Sequence, residues 1–83
     1  MIKSEIIEII REQVAGVIKQ SPDTIDEDEK LMRMGVTSIQ AIKIINRIRL
    51  ALEVDINPVA LFEYKTISDF AGYLAELKTG AVA

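Results

Sequence analysis

Between Ser4 and about Gln20, the apolar residues Ile6, Ile10, Val14 and Val17 return at steps of four and three. Ile7 and Ile18 lie beside them, and Glu8, Arg11, Glu12 and Lys19 fall opposite. This spacing predicts an amphipathic helix with one buried stripe. Ser21-Pro22-Asp23 should stop it, because a residue before proline is pushed out of the helical region and proline cannot extend the hydrogen-bond ladder. A long loop follows. Its first half, Asp23 to Glu29, sets five carboxylates around the single apolar Ile25 and should be solvated. Its second half, Leu31 to Val36, is apolar around Arg33 and Gly35 and should pack.

Thr37-Ser38-Ile39-Gln40 fits a capping box. In that arrangement the Thr37 hydroxyl accepts from the Gln40 amide while the Gln40 side chain reaches back to the Thr37 amide. A second helix should therefore begin here and run to about Glu53, burying Ala41, Ile44, Ile45, Ile48 and Leu52. After the connector Val54 to Asn57, Asn57-Pro58 reads as an N-cap followed by proline at the first helical position, opening a short helix through Leu61 and Phe62. Thr66-Ile67-Ser68-Asp69 starts the last helix, with Ile67, Phe70, Ala71, Leu74 and Leu77 as its stripe. The expectation is an all-α four-helix bundle: three principal helices, one short third helix and a long first loop. Residues 1–79 form the domain, and 80–83 a frayed tail.

Composition narrows the chemistry. At 83 residues the chain has room for one thin core and no deep, enclosed active site. Without cysteine or histidine there is no thiolate, no imidazole base and no zinc-type ligand set, so a hydrolase built on Ser38 would lack its base. Ten basic against thirteen acidic residues give a net charge of −3, which works against attraction to nucleic acid or anionic membranes and argues against a helix-turn-helix DNA reader. A glutamate stands where a signal peptide would have its apolar centre, and no apolar run approaches a membrane span. Cytoplasmic residence is the default expectation.

Placed at about 100° per residue around the second helix, Ile39, Lys43, Asn46 and Arg47 fall opposite its buried stripe. Ser38 sits in the first turn, near unpaired backbone amides and the positive end of the helix dipole, an environment that favours a phosphate on its oxygen. Periodicity alone leaves it a helix-start serine with no further role.

The order of the surroundings adds to this. Leu31-Met32-Arg33-Met34-Gly35-Val36-Thr37-Ser38-Ile39, then Gln40 to Ile48, then Leu61-Phe62-Glu63-Tyr64-Lys65-Thr66-Ile67, resembles the acyl and peptidyl carrier proteins of polyketide and nonribosomal peptide assembly lines. Nearly the whole chain takes part in the resemblance. It implies that a phosphopantetheinyl transferase, in a magnesium-dependent reaction, esterifies Ser38 with 4′-phosphopantetheine from coenzyme A. The arm's thiol would then hold acyl groups as thioesters, supplying the sulfur that the chain lacks. It further implies a monomeric, non-catalytic carrier visited by ketosynthases, acyltransferases or other assembly-line enzymes, with Thr37, Ile39, Gln40, Lys43 and Arg47 as the partner-facing residues.

Two positions depart from the family pattern. Thr37 stands where the family has aspartate, which keeps a helix cap but removes a carboxylate beside the modification site. Lys65 stands where the family has proline. A carrier-like docking module that is never modified remains the alternative.

Overall fold

The computed structural model describes residues 2–79, so the expected tail at 80–83 lies outside the described residues. The elements run α1 (Lys3–Ile18), a 3₁₀ turn (Pro22–Thr24), a second 3₁₀ turn (Leu31–Met34), α2 (Ser38–Leu52), α3 (Ala60–Glu63) and α4 (Ile67–Thr79). Among the described residues there is no strand, only an isolated antiparallel bridge between Lys30 and Thr66.

The buried stripe of α2 is the predicted one: Ala41, Ile44, Ile45, Ile48 and Leu52. It meets Ile6, Ile7, Ile10, Val14 and Ala15 of α1 and Ile67, Phe70, Ala71 and Leu74 of α4 in one core cluster. Helix α1 packs against both α4 and α2. No polar or charged residue is buried among the described residues, so the core carries no unsatisfied group that would oppose folding.

The helix ends differ in detail from the expectation. Helix α1 stops at Ile18, before the proline, because Lys19 turns into the left-handed region (φ 59°) as its C-cap. Pro22 instead opens the first 3₁₀ turn. Val17 is only half-buried, and Ala15 takes its place in the core. The last turn of a helix has neighbours on fewer sides, and the same reason leaves Leu77 of α4 half-buried.

Two loop expectations also need revision. The acidic half of the first loop is tied down as well as solvated: Ile25 is buried, and the half-buried Arg11 of α1 donates from Nε to the Ile25 carbonyl at 3.0 Å. Arg11 Nη2 lies 3.2 Å from Glu27, and Nη1 pairs with Glu8. The Glu27 carbonyl accepts from the Ser68 amide at 3.0 Å, so the loop is fastened to α4 as well. The apolar half is a 3₁₀ turn closed by Gly35 at φ 90°, a conformation in which a side chain would be strained. Asn57 does cap, its Oδ1 accepting from the Val59 amide at 3.0 Å, but it caps a turn, and α3 begins only at Ala60.

Candidate functional site

The start of α2 is built by the residues that predicted it. The Gln40 amide donates to Thr37 Oγ1 at 3.1 Å, and the Thr37 amide donates to Gln40 Oε1 at 2.9 Å, completing the capping box. The Ala41 amide closes the first backbone bond to the Thr37 carbonyl at 2.8 Å. These three bonds leave the amides of Ser38 and Ile39 without an acceptor among the described residues. Two free donors at a helix start, with the dipole behind them, suit an oxyanion attached to the exposed Ser38 hydroxyl. The residues present therefore fit a phosphodiester at this serine, and Thr37 meets the structural demand for a cap without the family's aspartate.

Around Ser38 the structure gathers Thr37, Ile39 and Lys43, all exposed, with Ile39 at 71%. Gln40 is half-buried, its carbonyl oxygen engaged in the cap. Arg47 stands apart, roughly 13 Å further along the axis. Its guanidinium lies over α1, where a Cβ at Gly16 would come within 3.0 Å of Arg47 Nη1.

Other residues near the serine were not marked by sequence. Ile42 is 48% exposed and falls between the stripe and Asn46 on the helix, a position its angle around the helix would have revealed. Met32 and Phe62, 48% and 46% exposed, line a pocket of about 230 Å³ with Lys30, Leu31, Val36, Ala41, Leu61 and Lys65. Val36 and Ala41 bracket Ser38 in the chain, so this pocket opens beside the first turn of α2.

Residues 8–74 match the family described as phosphopantetheine attachment site. The polyketide synthase PksN of Bacillus subtilis (strain 168) is 31% identical over 69 residues, covering 83% of this chain and 1% of that protein. The mycoketide-CoA synthase of Mycobacterium tuberculosis is 29% identical over 70 residues, covering 83% and 2%. The chain thus spans a very small part of these relatives. Among solved structures, a free-standing peptidyl carrier protein from an uncharacterized Acinetobacter baumannii secondary metabolic pathway superimposes with a TM-score of 0.85 at 32% identity, covering 89% of this chain and 92% of that one. The HMG-ACPI domain from the CurA module of Lyngbya majuscula shares the fold, with a TM-score of 0.86 at 24% identity over 98% of this chain and 83% of that one. With four helices in the same arrangement, a serine offered at a helix start and a family match over most of its length, the chain belongs to the phosphopantetheine-attachment family of acyl and peptidyl carrier domains.

Proposed function

We infer that Ser38 is the residue that receives 4′-phosphopantetheine, transferred from coenzyme A by a phosphopantetheinyl transferase with magnesium. The observation that carries this reading is the pair of free amides, Ser38 and Ile39, beside an exposed hydroxyl in the first turn of a fully capped helix. The transferase would move the phosphopantetheinyl group from coenzyme A onto the Ser38 oxygen, releasing adenosine 3′,5′-bisphosphate and the hydroxyl proton. The arm's thiol then holds acyl intermediates as thioesters. Tethering replaces free diffusion by a high effective concentration at each partner's site.

The domain carries its cargo for polyketide or mixed polyketide and nonribosomal peptide assembly, a reading supported by the two synthase relatives and the peptidyl carrier neighbour. It works as a monomer in the cytoplasm and presents Thr37, Ile39, Gln40, Lys43 and Arg47 to ketosynthases, acyltransferases and related enzymes. Ile39 offers the apolar anchor, and Lys43 is the first cation along α2. Arg47, lying over Gly16, serves partners that also touch α1.

Intact mass after incubation with coenzyme A, magnesium and a permissive transferase tests the site. The wild-type protein should gain one phosphopantetheine arm. Ser38→Ala should gain none while keeping a cooperative thermal transition, because Thr37 and Gln40 make the cap without it. No added mass on the wild type across several transferases would favour the unmodified docking module.

A further inference from the structure

The glycines among the described residues differ in what their missing side chain does. Gly35 supplies a left-handed turn, and at Gly72 an added Cβ would lie 3.9 Å from the end of Lys3, an ordinary contact. Gly16 is another case. It lies inside α1 without a positive φ and is exposed, so neither backbone conformation nor core packing requires a glycine there. Glycine is also a poorer helix former than alanine. What its missing Cβ leaves room for is Arg47 of α2: Nη1 would stand 3.0 Å from that atom, and nothing else beyond the local backbone and adjoining residues comes within 4 Å.

The guanidinium seated over α1 is not spent on a partner within the chain. Among the described residues Arg47 makes no ion pair, although Glu12 stands one turn before Gly16 on the same side of α1. Arg11 and Arg49, by contrast, are both paired. No acidic residue occurs between Ser38 and Leu52. The seam between α1 and α2 therefore presents a planar fork of donors that lacks a counter-charge, and a carboxylate matches such a fork with two parallel hydrogen bonds.

Reach selects the partner that brings the carboxylate. Enzymes that receive a loaded arm can stand off at the end of the tether, whereas the transferase must bring coenzyme A to the Ser38 oxygen itself and so rests on the helix start. A contact patch of standard size, about 800 Å² on each side, has a radius of roughly 16 Å. Arg47, roughly 13 Å along the axis from Ser38, falls inside it.

We propose that Gly16 is a positioning residue, which seats Arg47 over α1 so that its guanidinium pairs with an aspartate or glutamate of the phosphopantetheinyl transferase. The proposal rests on Ser38 as the attachment site and extends the transferase's footprint across α2 to the seam with α1.

The test follows loading by a permissive transferase at saturating coenzyme A and separates kcat from the KM for the carrier. Arg47→Ala should raise KM by roughly two- to five-fold, the range of a partly exposed ion pair, with kcat unchanged. Gly16→Ala, which makes Nη1 give way by a few tenths of an ångström, should raise KM less. Gly16→Gln, which fills the seat, should raise it nearly as much as Arg47→Ala. Both Gly16 variants should melt no lower than the wild type, since alanine and glutamine are better helix formers than glycine. The decisive comparison is the double variant: once Arg47 is alanine, Gly16→Gln should leave KM where it was, because it acts only through the guanidinium. The Arg47 effect should also fade as salt is raised. An unchanged KM for Arg47→Ala, or a Gly16→Gln effect that persists without the guanidinium, overturns the proposal. Arg47→Lys keeps the charge and loses the fork, so a KM equal to the wild type in that variant overturns the two-pronged pairing. A wild-type protein that takes no arm removes the attachment reading and this proposal with it, whereas normal loading that ignores Arg47 removes the proposal alone.

Discussion

The long helices and the short one are stabilised in different ways. Every one of the largest fully buried side chains belongs to α1, α2 or α4: Ile6, Ile10 and Val14; Ile44, Ile45, Ile48 and Leu52; Ile67, Phe70 and Leu74. Helix α3 contributes Ala60 and Leu61, while Val59 and Phe62 beside them stay about half exposed. A helix of three or four turns repeats its apolar stripe and is held along its length, whereas four residues supply one anchor point. The C-terminal end of α3 is fixed by Tyr64, which stacks on Tyr73 of α4 with ring centroids 4.7 Å apart. The lesson is a division of labour. Three helices hold Ser38 in place, and α3 with the 3₁₀ turn at Leu31–Met34 forms the softer wall of the pocket next to it.

The sharpest way to break that comparison is to truncate one anchor on each side. Phe70→Ala should cost about 3 to 5 kcal/mol in chemical denaturation, as expected of a large aromatic lost from a closed core. Leu61→Ala should cost less, about 2 kcal/mol, because a wall with an open outer side can collapse into the gap. Equal costs would make α3 as integral as α4. At the seam between the two regions, Thr37→Ala should destabilise by about 0.5 to 2 kcal/mol, the usual loss for an N-cap, and an unchanged melting curve would contradict the capping geometry.

The outer face sharpens the contrast through function. Ile39→Ala should change stability by less than about 0.5 kcal/mol, since the side chain is mostly exposed, yet lower partner turnover of the loaded protein. Lys43→Ala should have a smaller effect that fades as salt is raised, while the Ile39 effect persists. A stability loss above about 2 kcal/mol for Ile39→Ala would move that residue into the core and the docking face elsewhere. The smallest change expected is Thr37→Asp, which keeps the cap and suits the positive helix end. Faster loading by the transferase would identify a carboxylate here as a recognition element, and equal rates across several transferases would remove it.

What was legible in the sequence follows the same division. The start and stripe of α2 were readable because a capping box and a 3.6-residue period are local signals, and both hold in the structure. The end of α1 was misplaced by about two residues because a lysine at positive φ carries none of the signal a glycine would. The 3₁₀ turn at Leu31–Met34 and the late start of α3 were missed because elements this short have no period to read. Arg11 looked like a solvated residue on the polar side of α1. Its role in fastening the loop depends on Ile25 and Glu27, brought to it from more than a dozen residues away. The pocket was invisible for the same reason: Lys30 and Lys65 become neighbours only through the bridge that joins the first loop to the start of α4.

The packing of α1 against α4 has a consequence for the order of events during synthesis. The first and last helices share the core, so Ile6, Ile10 and Val14 have no complete binding face until Phe70 and Leu74 have left the ribosome. A nascent chain ending after α3 would expose an apolar stripe on α1 and another on α2, and the closing contacts span nearly the whole chain. Folding should therefore be late and all-or-none. Stop codons or cleavage within α4 would yield aggregation-prone fragments and no shortened carrier.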